Sequence, residues 1–183
     1  MKILVTNDDG IKAEGLWALA GELQKIANVT VVAPDGERSA IGTAVTLFQP
    51  LHVEKVQAPV AGVTAYTIDG SPSDCVILAL GKLVKDGAAM VVSGVNPNLN
   101  LGEDVYISGT VGAAMQGYFR GLPALAVSAP PGSREAPSIF MRAANSSSFS
   151  LNSHHLAKST CQFSIPYILA IQAGSIGKPA RHP

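Results

Sequence analysis

At 183 residues, the chain is long enough for one domain with a full core, or for one domain plus an appendage. Hydrophobic residues make up 47%, charged residues 14%, and the formal net charge is zero, which leaves no electrostatic footprint for a nucleic-acid duplex or an anionic membrane. No run approaches the ~20 apolar residues of a membrane span, no signal-peptide pattern is present, and Cys75 and Cys161 form neither a close metal-binding pair nor a disulfide framework. A cytoplasmic location is the expectation.

The chain opens on Ile3-Leu4-Val5, a short apolar run that reads as a buried parallel strand. Asn7-Asp8-Asp9-Gly10 ends it with turn chemistry. At a strand end, where the backbone turns, both carboxylates can converge on one point, and like charges so close call for a cation or a proton. Apolar residues at helical spacing from Glu14 to Ile26 predict an amphipathic helix, and Val29 to Ala33 predict the next strand. Together they form one right-handed βαβ unit. Pro34-Asp35-Gly36 stops that strand, and Glu37 to Gly42 follows as a polar loop. Val45 to Phe48, Leu51 to Val56 and Val63 to Ile68 read as further strands or hairpins, with Pro50 and Pro59 at edges or turns.

Ser71 is placed to cap a helix that begins at Pro72 and carries Val76, Ile77, Leu80 and Leu83 on its apolar face. Met90 to Ser93 predict a buried strand ending in Gly94-Val95-Asn96-Pro97, and a loop rich in Asn and Gly then runs to Ser108. Thr110 to Phe119 reads as a helix and Ala124 to Ser128 as a strand. The alternation predicts an α/β fold, a doubly wound and mainly parallel sheet. Beyond Asn145 the character changes. Ser146 to Ser164 is serine-rich, Tyr167 to Ile171 is one isolated apolar run, and Lys178 to Pro183 reads as a loose tail. The expected division is therefore a core over residues 1–144 and an atypical C-terminal segment over 145–183.

Three polar loops follow three buried strands, so in a parallel sheet their side chains meet over one crevice. Asp8 and Asp9 bring carboxylates, Ser39 a hydroxyl and Asn96 an amide, an oxygen-only set suited to Mg²⁺ or Mn²⁺. Ser108-Gly109-Thr110-Val111-Gly112-Ala113-Ala114 opens a helix whose free N–H groups and dipole favour an anion. Its spacing matches neither a P-loop nor a dinucleotide fingerprint. A cation beside an anion seat points to a phosphate monoester. His52, Cys75 and the His154-His155 pair read as structural or solvent-exposed, and Asp74 as a complement to a helix dipole.

These residues match a family. The chain resembles the SurE (survival protein E) nucleotidases in Ile3-Leu-Val-Thr-Asn-Asp-Asp-Gly10, in Ala33-Pro-Asp35 with Glu37-Arg-Ser39, in Asp69-Gly-Ser-Pro-Ser-Asp-Cys-Val76, in Ser93-Gly-Val-Asn96 and in Ser108-Gly-Thr-Val-Gly-Ala-Ala114. The resemblance implies a Rossmann-like three-layer sandwich and hydrolysis of nucleoside 5′- or 3′-monophosphates by metal-activated water. It makes Asp8 and Asp9 catalytic, and Asp8, Asp9, Ser39 and Asn96 the ligands of one divalent cation per subunit, Mg²⁺ or Mn²⁺. It puts Asn100, Ser108, Gly109 and Thr110 around the phosphate, and it implies a homodimer or homotetramer. Gly36 stands where the family usually has Arg, while Ala40 and Asn98 stand where it has Gly. Asn98 is the next-best residue for left-handed backbone, and Ala40 adds a methyl beside Ser39. The family's C-terminal helix and strands are not recognisable after Asn145. One alternative is therefore a catalytically impaired module that binds metal or nucleotide. A second, with an Asp nucleophile, lacks the Asp-x-Asp spacing of haloacid dehalogenase-like phosphatases.

Overall fold

The computed structural model describes residues 1–129 and the strand Ile168–Ile171. The expectations for Ser146 to Ser164, His154, His155, Cys161 and Lys178 to Pro183 lie outside the described residues. The first strand, β1 (Lys2–Thr6), alternates between two cores: Ile3 and Val5 face one side and Leu4 the other. A strand buried on both faces must be apolar throughout, which is why this run carries no polar alternation. Helix α1 (Glu14–Gln24) covers one side with Leu16, Leu19 and Leu23, each almost fully buried and each contributing about 1.5–3 kcal/mol by leaving water. It ends two residues before the predicted Ile26, which is 46% exposed.

Strand β2 (Asn28–Pro34) lies parallel to β1, and β3 (Val53–Val56) pairs antiparallel with β4 (Thr64–Ile68) as a hairpin on the sheet's outer edge. The expected strand at Val45 to Phe48 does not form. That segment is a loop with Leu47 and Phe48 largely exposed, and the backbone N–H of Thr46 goes to the Asp74 carboxylate instead of a neighbouring strand. Helix α2 (Pro72–Leu78) starts as predicted and runs into a single π-helical turn at Ala79–Leu83.

Strand β5 (Met90–Asn96) extends past the predicted Ser93, and a cis peptide joins Gly94 to Val95. A short helix α3 (Asp104–Ile107), unforeseen in the Asn- and Gly-rich loop, leads into α4 (Gly109–Tyr118) and then β6 (Ala124–Ser128). The apolar run near residue 167 becomes β7 (Ile168–Ile171), antiparallel to β6.

The described strands form one sheet in the order β3-β4-β2-β1-β5-β6-β7, with the five inner strands parallel. Helix α1 packs on one face, and α2 and α4 on the other, so the α/β sandwich has the three layers expected. The connections leave β1 toward β2 on one side and reach β5 on the other. The crevice beyond the carboxyl ends of β1 and β5 is therefore the switch point at which open sheets bind ligands. Among the described residues no helix is long and apolar enough to cross a membrane.

Candidate functional site

The turn after β1 is held by its own first residue. Asn7 accepts the Gly10 N–H at 3.2 Å and donates its side-chain amide to the Gly10 carbonyl at 3.1 Å. This Asx closure leaves Asp8 and Asp9 projecting at the strand tip. Asp8 is 5% exposed, and its carboxylate is straddled by Thr110, whose N–H donates to Oδ2 at 3.1 Å and whose hydroxyl donates to Oδ1. The loop after β2 docks on the same residue, since the Arg38 N–H donates to the Asp8 carbonyl at 2.7 Å.

Helix α4 approaches just as closely. A Cβ on Gly109 would lie 2.8 Å from the Asp8 Cβ, and one on Gly112 would lie 2.2 Å from the Gly42 carbonyl oxygen. Neither position has room for a side chain, so the small residues of Ser108 to Ala114 bring the helix start against the acidic turn. The neighbours at Gly109 are Asp8 and the Arg38 carbonyl.

The remaining predicted residues are held by contacts of their own. Ser39 donates its hydroxyl to Glu37 at 2.6 Å, which leaves its oxygen lone pairs directed away from that carboxylate. Asn96, at the end of β5, donates its side-chain amide to the Asn98 carbonyl, which leaves Oδ1 as its other end. Asn100 donates to the Ser128 hydroxyl at 2.7 Å, fixing it to the tip of β6. Ser108 caps α4 by accepting the Val111 N–H at 3.2 Å. Asp8, Thr110, Gly109 and the Arg38 loop are thus joined by direct contacts. Ser39 lies in the loop after β2 and Asn96 at the end of β5, the two strands that flank β1.

Electrostatics set the chemistry. Burial, then the neighbouring Asp8 and Glu37 charges, push the Asp9 carboxyl up to about 6. Burial likewise raises Asp8, against the opposing hydrogen bonds from Thr110. Among the described residues no basic side chain pairs with either carboxylate, because Arg38 is engaged with Asp35 at 2.7 Å. Asp9 Oδ2 is buried and has no hydrogen-bond partner among the described residues. A buried anionic oxygen left unpaired is costly, and a bound cation removes that cost. Among the described residues no three His, Cys, Asp or Glu side chains gather as a metal site. The two carboxylates, with the Ser39 hydroxyl and the Asn96 amide oxygen expected beside them, would make an all-oxygen set, the chemistry that suits a hard divalent cation.

Sequence reasoning missed Glu37 as part of the site. Its charge bears on both aspartates and its carboxylate orients Ser39; an acidic residue two positions from a proposed ligand was the available signal. Cys75 is buried, with its thiol raised by burial, and is structural as expected. His52 pairs with Asp69 at 2.9 Å on the surface.

Comparison with known proteins now decides the family. The model of the survival protein SurE family matches residues 3–171. The chain belongs to the SurE family. It is 58% identical over 130 residues to the 5′-nucleotidase SurE of Dehalococcoides mccartyi, covering 71% of this chain and 49% of that one. The 5′-nucleotidase SurE of Clostridium botulinum is 51% identical over 129 residues, with 70% and 51% covered. The crystal structure of the SurE protein from Aquifex aeolicus superposes with a TM-score of 0.70 at 35% identity, covering 78% of this chain and 58% of that one. The chain spans about half the length of the curated relatives it matches. The family match reaches beyond Asn145 and takes in β7.

Proposed function

We propose that the chain is a divalent-metal-dependent phosphatase that hydrolyses nucleoside 5′-monophosphates, and 3′-monophosphates, to nucleoside and phosphate. The observation that carries this reading is the acidic tip of β1: two adjacent, partly or largely buried carboxylates with no basic partner among the described residues, one of them with a buried oxygen that none of those residues pairs. The name 5′-nucleotidase carried by relatives up to 58% identical supports the same reading.

Asp8, Asp9, Ser39 and Asn96 would hold one Mg²⁺ or Mn²⁺ per subunit, with Asp9 Oδ2 as the free carboxylate oxygen offered to it. When bound, the cation lowers the pKa of a water and neutralises charge on phosphoryl oxygens. Asn7 fixes the turn that presents both aspartates, and Glu37 holds the Ser39 proton away from the lone pairs Ser39 would donate. Asn100, Ser108 and Gly109 form the phosphate side, with Thr110 beside them at the start of α4. There, the Gly109 N–H would face the charge that grows on the phosphoryl oxygens. Assembly into a homodimer or homotetramer, and the division into a catalytic core over 1–144 and a distinct segment over 145–183, belong to the same proposal.

Phosphate release from a panel of nucleoside monophosphates tests it. The full chain supplied with Mn²⁺ releases phosphate, EDTA abolishes release, and Asp8→Ala or Asp9→Ala lowers it by about a hundredfold or more, as loss of several kcal/mol of transition-state stabilisation requires. Folded, Mn²⁺-replete protein that releases nothing would overturn the reading.

A further inference from the structure

The start of α4 has fewer free donors than its sequence promises. Of the N–H groups in its first turn, Val111 donates to the Ser108 hydroxyl, Gly112 to the Ser108 carbonyl, and Thr110 to Asp8 Oδ2. The Thr110 hydroxyl has a single proton, and that proton goes to Asp8 Oδ1. Both donors of Thr110 are therefore spent on one carboxylate, and only the Gly109 N–H has no partner among the described residues.

We infer that Thr110 is a positioning residue for the cation site, holding Asp8 in one orientation, and that it does not bind the phosphate. The inference rests on the metal-dependent reading given above. Thr110 is fully buried and Asp8 nearly so, so no water competes for these bonds. Two donors that address different oxygens fix the carboxylate plane, because rotation about its last bond would break both. They are neutral, so they orient Asp8 without consuming the charge that attracts a cation. The lone pairs of Asp8 not used by Thr110 stay available. Partners one step removed from a metal commonly act this way, and their loss typically costs about 10–100-fold in metal affinity. The neighbouring Gly109, with no space for a Cβ against Asp8, keeps the helix start at the distance these bonds need. The phosphate side of the site is then left to Asn100, Ser108 and Gly109, since the Ser108 hydroxyl accepts the Val111 N–H and keeps its own proton.

The test measures Mn²⁺ affinity directly, by the paramagnetic resonance signal of free Mn²⁺, in the full chain without substrate. Thr110→Val keeps the side-chain shape and the N–H but lacks the hydroxyl, and it should weaken Mn²⁺ binding by about 10-fold or more. Thr110→Ser restores the donor and should bind within about threefold of the parent. In an Asp8→Ala background, Thr110→Val should add nothing, since the two act as one unit. Unchanged Mn²⁺ affinity in Thr110→Val, with a raised KM for nucleotide, would overturn the inference and return Thr110 to the phosphate. A folded parent that binds no Mn²⁺ would instead overturn the cation reading beneath it. Thermal melts establish folding, and if Thr110→Val does not fold, Thr110→Ala against Thr110→Ser reads the same hydroxyl.

Discussion

Ala40 takes a φ of +54° immediately after Ser39, and it is the non-glycine residue with a positive φ among those described. For any residue with a Cβ that conformation costs roughly 1–2 kcal/mol. Its methyl is exposed, so packing does not offset the strain. Ala40→Gly should therefore stabilise the chain by about 1 kcal/mol, read as a shift in the urea midpoint at constant slope. The sequence comparison with the family located this position but assigned the left-handed backbone to Asn98, which does not adopt it. That Asp8, Asp9, Ser39 and Asn96 follow or end the strands β1, β2 and β5 was legible, because turn residues after apolar runs announce a sheet tip. The engagement of Thr110 with Asp8 was not, since a hydroxyl at a helix start looks the same whether it faces a ligand or a side chain 102 positions away.

At the scale of elements, Asp74 organises more than the helix it begins. Its carboxylate accepts the Ser71 N–H at 2.9 Å while Ser71 accepts the Asp74 N–H at 3.0 Å, a reciprocal capping box. It also accepts the Thr46 N–H at 2.9 Å and the Thr46 hydroxyl at 2.7 Å. One buried carboxylate thus fixes both α2 and the loop over residues 43–50. Asp74→Ala would lose the cap and strand three donors, at a cost of about 2–4 kcal/mol; Asp74→Asn, which keeps an acceptor, should cost less than half as much. Equilibrium urea unfolding of the two variants checks the order. This contact also explains where element prediction failed. Val45 to Phe48 has the composition of a strand, but its backbone donor is claimed by a side chain distant in sequence, which no local pattern reveals. The inner strands were legible because burial on both faces makes each a short, unbroken apolar run between turn residues, and α4 because a capping Ser108 precedes a run of small and apolar residues.

The whole molecule separates support from chemistry. The core beneath α1 is built on Leu16, Leu19 and Leu23 against Ile3, Val5 and Val31, on the face opposite α2 and α4. Leu19→Ala should destabilise the protein by about 2–5 kcal/mol, as cavity-forming core substitutions do, while Mn²⁺ affinity per folded molecule stays unchanged. Unfolding curves and metal titration on the same sample separate the two effects. The parallel sheet itself was legible from the alternation of apolar runs and amphipathic helices, whereas the strand order had to come from the structure, because many orders satisfy the same alternation. That order has a kinetic side. The contact between Asp8 and Thr110 closes a loop of 102 residues, and closing so long a loop costs entropy before any contact repays it. The acidic tip gains its fixed shape only once β1, β5 and α4 have come together, so an ion that prefers the finished site can reward only chains near the end of folding. Divalent cations added during refolding should accordingly slow unfolding and leave the early collapse untouched.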